Sequence, residues 1–167
     1  MSMDPASPGA RLALIDIDGV LADDTHRLHH AMRGDWGQYF DPDQLARDGL
    51  LSPGADLYER AIVEYDEVRF FTGRREDIFE PTRRWLDRHA LLHPLIMRPR
   101  GNGRPLSAFK ADYIAEELTR SGYARITLWD DDVKVVDAVN DLALPGVQAH
   151  LCTWYDKSDK LLRAART

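Results

Sequence analysis

The stretch that decides the fold is Leu12-Ala-Leu-Ile-Asp16-Ile-Asp18-Gly19-Val20. It opens with a short apolar run, which predicts a buried strand, and then turns polar at two aspartates. Side chains two residues apart on an extended segment point to the same side, so Asp16 and Asp18 are expected to face one pocket. The stretch therefore predicts a functional site at the carboxyl end of the first strand.

Four further stretches have the same apolar character and predict strands at residues 67–71, 94–97, 125–129 and 147–151. Between them, apolar residues recur at helical spacing. Alternating strands and helices with short connections predict an α/β fold, in which a parallel sheet is covered by helices on both faces. Ligands of such sheets bind beyond the carboxyl ends of the strands, so the candidate site lies there.

Residues 21–53 do not alternate in this way. They are polar and include three histidines, Trp36 and Tyr39. Because the segment directly follows the first strand, we expect a small cap or flap over the ligand end of the sheet. Residues 11–167 are expected to form a single domain that includes this insertion, and residues 1–10 a disordered leader.

Composition limits the function classes. The chain has 167 residues and a net charge of −6, which argues against broad non-specific binding of nucleic acid. A local basic stretch, residues 98–110, contains no acidic residue. Cys152 is the only cysteine, so no intrachain disulfide is possible, and no apolar run approaches the length of a membrane span. We expect a cytoplasmic protein that forms no membrane contact.

Three strand ends carry residues suited to metal and phosphate chemistry: Asp16 and Asp18, then Thr72, Gly73 and Arg74, then Asp130 and Asp131. Crowded carboxylates repel one another unless a cation is present, and oxygen ligands select a hard cation such as Mg2+. Taken singly, each motif is explained by turn formation or helix capping. Their joint placement at strand ends favours a metal site.

The chain resembles the haloacid dehalogenase superfamily of phosphatases in four ordered motifs: Leu14-Ile-Asp16-Ile-Asp18-Gly19-Val20, Phe71-Thr72-Gly73-Arg74, Lys110 and Asp130-Asp131. Other stretches are similar to the phosphatase domain of phage-type polynucleotide kinase: His26-Arg27-Leu28-His29, Asp35-Trp36, Pro81-Thr82-Arg-Arg-Trp85-Leu86, Met97-Arg98-Pro99 and Arg104-Pro105. The resemblance covers about residues 12–151. It implies a Rossmann-like fold of the haloacid dehalogenase type with a small cap after the first strand.

The resemblance also implies a Mg2+-dependent phosphomonoesterase that acts through an aspartyl-phosphate. In that mechanism Asp16 is the nucleophile, and Asp18 donates a proton to the leaving oxygen and then accepts one from water. The remaining implied roles are phosphoryl contacts by Thr72 and Lys110, substrate contacts by Arg27, Gly73, Arg74 and Arg98, and Mg2+ binding by Asp16, the Asp18 backbone carbonyl and either Asp130 or Asp131. Asp18 must be neutral part of the time, which the surrounding negative charge is expected to favour. For Lys110, the alternative is an ordinary solvated helix residue.

Two positions depart from the family pattern. Asp132 stands where the family usually has arginine, and Leu106 stands where an acidic residue often precedes the lysine. The substrate expected from the resemblance is a nucleotide or the 3′-phosphate end of DNA or RNA, in nucleic-acid end repair. Trp36 and Tyr39 are candidates for stacking a base, or for packing.

Several alternatives remain open. A 5′- or 3′-nucleotidase or a small-molecule phosphatase would use the same chemistry. Outside enzymes, a receiver-like signalling module or a catalytically retired phosphate-binding module also gathers aspartates at strand ends. His26, His29 and His30 have helical spacing that suits zinc, although a substrate-facing flap is favoured. No Gly-x-x-x-x-Gly-Lys-Ser/Thr loop occurs, so no fused kinase is expected.

Overall fold

The computed structural model describes residues 9–154, so nearly all of the predicted leader lies outside the described residues, as do residues 155–167. In chain order its elements are β1 (Arg11–Ile15), β2 (Ala22–Asp23), a 3-10 helix (Thr25–Arg27), α1 (Leu28–Met32), α2 (Trp36–Tyr39), α3 (Pro42–Leu45), β3 (Gly49–Leu50), α4 (Ser52–Glu64), β4 (Glu67–Arg75), a second 3-10 helix (Glu76–Ile78), α5 (Phe79–Arg88), β5 (Leu95–Arg98), α6 (Leu106–Ser121), β6 (Arg125–Asp130), α7 (Val133–Asn140) and β7 (Val147–Leu151).

Five strands form a parallel sheet in the order β5-β4-β1-β6-β7. The predicted α/β fold is therefore confirmed. The strand order reverses beside β1, and a crevice at such a switch point is where open α/β sheets bind ligands. A receiver-like module has its second strand at the edge and its third beside the first, so the receiver-like alternative is wrong.

The two faces of the sheet bury separate hydrophobic clusters. On β1, Ala13 and Ile15 pack on the side of α4 and α5, whereas Leu12 and Leu14 pack on the side of α6 and α7. All four side chains are fully buried. An apolar run without polar alternation is expected for a strand covered on both faces, and β1 is therefore held rigidly at the centre of the sheet.

Two strands extend further than predicted, and the site residues lie on them. The register between β4 and β5 shifts between Phe71 and Arg75, which allows β4 to continue to Arg75, where it pairs with Arg98. Thr72, Gly73 and Arg74 are thus part of the strand rather than of the loop after it. Likewise, Asp130 is the last residue of β6.

The predicted cap is present as the segment between β2 and β3, which pair antiparallel and join it to the sheet. The segment contains α1, α2 and α3, and aspartate side chains cap the last two: Asp35 accepts from Gln38 N, and Asp41 accepts from Asp43 N and Gln44 N. None of the helices in residues 9–154 is long and apolar enough to cross a membrane.

Helix α4 fixes the loop that follows β1. Gly54 lies so close to this loop that a Cβ at that position would be 2.0 Å from the carbonyl oxygen of Val20. Within the loop, Gly19 adopts a φ of 78°, a left-handed conformation that favours glycine. The conformation between Asp16 and Val20 is therefore set by close packing against Gly54 of α4 and by the turn at Gly19.

Candidate active site

The carboxylates of Asp16, Asp130 and Asp131 converge where β1 and β6 end. One carboxylate oxygen of each residue lies within 4.8 Å of those of the other two. Ile15 pairs with Trp129 across the two strands, and Asp16 N donates to Trp129 O at 3.0 Å, so the residues that follow are held side by side. The structure therefore brings together three of the predicted metal ligands.

Lys110 lies beneath this cluster, on α6, and is fully buried. Its Nζ donates to Asp130 Oδ2 at 2.6 Å and lies 3.0 Å from Asp16 Oδ1. Burial disfavours the charged ammonium, but the charges of Asp130 and Asp16 outweigh this and raise the Lys110 pKa. The interpretation of Lys110 as a solvated helix residue is therefore wrong.

The cluster contains three carboxylates, and Lys110 contacts two of them, Asp16 and Asp130. Burial raises the pKa of Asp16 well above its usual value; Lys110 opposes this shift, whereas Asp130 and Asp131 add to it. A divalent cation would balance the net charge of three negative groups and one positive group. The donors are all carboxylate oxygens, which suits a hard cation such as Mg2+, so the residues present fit the predicted metal.

Asp18 lies in the same cleft, but its carboxylate faces two arginines instead of the metal cluster. Asp18 Oδ1 accepts from Arg27 Nη2 at 2.5 Å and from Arg74 Nη2 at 2.7 Å, and Oδ2 accepts from Arg74 Nε at 3.0 Å. The carboxylate is not a member of the three-carboxylate group. Its predicted metal contact was through the backbone carbonyl, and that contact stays a prediction.

The predicted charge environment of Asp18 is wrong. Burial alone would raise the Asp18 pKa, but the charges and hydrogen bonds of Arg74 and Arg27 outweigh it and hold this pKa well below its usual value. Two guanidinium groups in direct contact decide the shift, because the neighbouring aspartates interact more weakly with Asp18. Asp18 is therefore ionised in this state rather than partly neutral.

Arg27 and Arg74 both contact Asp18, and both are fully buried and paired with carboxylates. Of the two, Arg74 lines the cleft, and their substrate contacts stay predictions. Their common partner besides Asp18 is Asp48, which sequence reasoning missed. Asp48 accepts from Arg27 Nε at 2.8 Å, Arg27 Nη2 at 2.7 Å and Arg74 Nη2 at 3.1 Å. Trp85 Nε1 donates to the Asp48 carbonyl at 2.9 Å, which fixes the backbone here. We call Asp18, Asp48, Arg27 and Arg74 the arginine–aspartate network.

Thr72 and Gly73 lie on β4 between this network and α6. Thr72 is fully buried, and its hydroxyl accepts from Arg74 N at 3.1 Å. A Cβ on Gly73 would be 2.9 Å from a methyl carbon of Leu106, the first residue of α6. Leu106, one of the two departures from the family pattern, thus packs where the strand backbone passes closest to the helix.

The site opens into a cleft of about 900 Å³. Its lining includes Asp16, Asp18, Gly73, Arg74, Arg98, Asp130 and Asp131 among the predicted site residues. Of the basic residues in the 98–110 stretch, Arg98 lines the cleft. Its Nη2 donates to the Arg104 carbonyl, and the Arg104 side chain pairs with Asp112 outside the cleft. Asp132, the other departure, lines the cleft and caps α7 by accepting from Lys134 N at 2.9 Å.

The cap residues divide into packing and exposed ones. Tyr39 is buried and donates its hydroxyl to Asp24 at 2.6 Å, whereas Trp36 is 57% exposed. Tyr39 is therefore a packing residue rather than a base contact. The zinc interpretation of the histidines finds no support: in residues 9–154 the aspartate cluster is the only group of three suitable side chains that converge, and His26 contacts Asp48.

The fold is similar to that of several solved structures. A chain of the Pnkp1/Rnl/Hen1 RNA repair complex is 24% identical, with a TM-score of 0.65 over 90% of this chain and 46% of that one. A chain in a second structure of the Pnkp1/Rnl/Hen1 complex is 22% identical, with a TM-score of 0.68 over 92% of this chain and 50% of that one. The chain thus spans about half the length of these relatives. A haloacid dehalogenase-like hydrolase from Streptococcus pneumoniae is 14% identical, with a TM-score of 0.62 over 93% of this chain and 91% of that chain.

At these identities the structural similarities establish the fold alone. No curated protein sequence matches the chain. The sequence profile of the polynucleotide kinase PNKP phosphatase domain matches residues 10–153. This match includes every residue placed in the cleft above.

Proposed function

Because the chain belongs to the polynucleotide kinase PNKP phosphatase domain family, it is a phosphatase of the haloacid dehalogenase type, and we propose that it removes 3′-phosphates from polynucleotide ends with Mg2+. The observation that carries this proposal is the cluster of Asp16, Asp130 and Asp131 over Lys110, at the bottom of a cleft of about 900 Å³. A cleft of this size holds a ligand much larger than a phosphate group. The similarity to chains of an RNA repair complex supports a role in end repair.

In the proposed reaction the Asp16 carboxylate attacks phosphorus, the ester P–O bond breaks, and an aspartyl-phosphate forms. Asp18 gives a proton to the leaving sugar oxygen, then accepts one from the water that hydrolyses the aspartyl-phosphate, which releases inorganic phosphate and restores Asp16. Mg2+ held by Asp16, Asp130 and Asp131 would neutralise charge on the phosphate. Lys110 keeps Asp16 and Asp130 in place and adds a fixed positive charge beside them.

The arginine–aspartate network explains how Asp18 is positioned for this role. Three hydrogen bonds from Arg27 and Arg74 fix the orientation of its carboxylate, so little reorientation is needed when a substrate binds. The ionised form they favour is the form that accepts a proton from water. To donate to the leaving oxygen, Asp18 must first take up a proton as the substrate binds, either from a monoprotonated phosphate group or from solvent. This uptake requires that phosphate oxygens compete with Asp18 for the guanidinium of Arg74, which lines the cleft.

The experiment is a comparison of phosphate release from 3′-phosphorylated and 5′-phosphorylated oligonucleotides, mononucleotides and para-nitrophenyl phosphate. We expect the highest kcat/KM on the 3′-phosphorylated oligonucleotide, loss of turnover in EDTA and recovery with Mg2+. Arg98→Ala should reduce kcat/KM on that oligonucleotide more than on para-nitrophenyl phosphate, by about tenfold, because a charged hydrogen bond is lost.

The matched inactive control is Asp16→Asn, which keeps the side-chain shape and removes the attacking charge. Turnover that persists in EDTA would overturn the metal requirement. A mononucleotide preferred over every oligonucleotide would replace the end-repair function with that of a nucleotidase.

A further inference from the structure

The cap contributes an exposed tryptophan to the lining of the cleft. Trp36 is the first residue of α2, and the Asp35 side chain caps this helix by accepting from Gln38 N at 3.1 Å. Trp36 lines the same cleft as Asp16 and is 57% exposed. Leu28, Tyr39 and Phe40 line the cleft with it, and a contiguous apolar surface of this kind is typical of a binding site.

The Trp36 ring is supported by other rings. Phe40, which also lines the cleft, lies beside it in an offset, nearly parallel arrangement, with a centroid distance of 6.2 Å and an interplanar angle of 23°. Tyr39 meets both rings edge-on, at 5.8 Å from Trp36 and 4.7 Å from Phe40. Tyr39 is itself fixed by its hydrogen bond to Asp24 and by the Arg27 guanidinium, 4.3 Å from its ring centroid. The aromatic wall is therefore anchored to the arginine–aspartate network.

The charge of the cleft limits how a polynucleotide can be held. Seven aspartates line the cleft and only three arginines, and Arg74 and Arg75 among these are paired with Asp18 and Asp77. The whole chain has a net charge of −6. Affinity from displaced counterions needs a basic surface, so most of the affinity for the rest of the substrate must come from contacts that are not ionic.

We propose that Trp36, supported by its contacts with Phe40 and Tyr39, is a stacking platform for an unpaired nucleobase near the 3′-phosphate that is removed. This inference rests on the proposed function and specifies its substrate as a single-stranded end. Stacking of a base on an aromatic ring tolerates any base, because every base has a π face. The platform thus binds ends without selecting their sequence, and Arg98, which lines the same cleft, is the candidate contact to the backbone.

The test measures how much a base contributes to kcat/KM. The substrates are single-stranded oligothymidylate with a 3′-phosphate, the same strand with its last two nucleosides made abasic, and para-nitrophenyl phosphate. In the wild type, kcat/KM on the oligothymidylate should exceed kcat/KM on the abasic strand by about tenfold. This factor lies in the lower half of the range expected for the stacking of one base. Trp36→Ala should bring this ratio close to one, and Trp36→Phe should retain most of it.

The matched control is Met32→Ala, which removes another exposed cap side chain, 54% exposed, that does not line the cleft. It should leave the ratio unchanged. A ratio near one in the wild type, or a ratio that survives Trp36→Ala, overturns the platform while 3′-phosphatase activity remains. If para-nitrophenyl phosphate is hydrolysed but neither strand is, the proposed function itself fails.

Discussion

Asp48 pairs with both buried arginines of the site. Two carboxylates, Asp18 and Asp48, balance two guanidinium groups in the arginine–aspartate network, and Arg27, Arg74 and Asp48 are all buried. Removal of one charge from such a balanced set leaves a buried guanidinium incompletely paired. The penalty for that is larger than the value of the pair itself, because the remaining charge cannot reach water.

We therefore expect Asp48→Asn to lower the free energy of unfolding by about 3 kcal/mol, measured by urea denaturation. The matched control is Asp87→Asn, which breaks the exposed ion pair between Arg83 and Asp87 and should cost less than about 1 kcal/mol. Equal small losses in the two variants would show that Asp48 contributes no more than a surface charge.

At the scale of elements, the contact between β4 and α6 sets the position of the predicted phosphoryl contacts. Gly73 has no Cβ, which lets the strand pass within contact distance of Leu106 at the start of the helix. Gly73→Ala would force the Leu106 methyl groups to move, and because Leu106 lines the cleft we expect kcat/KM on para-nitrophenyl phosphate to fall by roughly threefold.

Adding Leu106→Ala to Gly73→Ala removes the leucine methyl carbons that the Cβ of Ala at position 73 would meet. The double variant should recover most of the activity that Gly73→Ala loses. If Gly73→Ala alone keeps wild-type activity, the close approach of strand and helix is unimportant for positioning.

For the whole molecule, the repulsion that Asp130 and Asp131 exert on Asp16 couples metal binding to stability. A ligand that binds only the folded state at 100 times its Kd stabilises a protein by about 2.7 kcal/mol. In a protein of this size Mg2+ should then raise Tm by about 5–10 °C, measured calorimetrically. Asp131→Asn should diminish the increase that Mg2+ produces, because it removes one of the three carboxylates that would hold the ion. The same Tm in EDTA and in Mg2+ would contradict a metal site here.

The parts of the site that the sequence predicted are those determined by local spacing. Asp16 and Asp130 lie at strand ends, and neighbouring parallel strands bring their carboxyl ends together, so their meeting follows from the order of strands. Lys110 needed the resemblance as well, because a single lysine on a helix has no spacing that distinguishes it.

Asp48 could not be found in this way. It lies in a cap that contains other aspartates, such as Asp35 and Asp41, and its role depends on the chain returning beside Asp18 after 30 residues. Nothing in its neighbours along the chain signals this return. The charge state of Asp18 was also predicted wrongly. The sequence shows the nearby aspartates, but it does not show that Arg27 and Arg74 contact the Asp18 carboxylate.

The ion pairs between cap and sheet also determine how a substrate arrives. Arg27 and Asp48 belong to the cap, whereas Asp18 and Arg74 belong to the loop and strand of the sheet. A hinge movement of the cap would separate these buried charges, at a cost of about 3–5 kcal/mol. Hinged-open molecules are then rarer than about one in a hundred. We therefore expect the substrate to enter a preformed cleft without prior opening of the cap, so that binding follows a single kinetic phase.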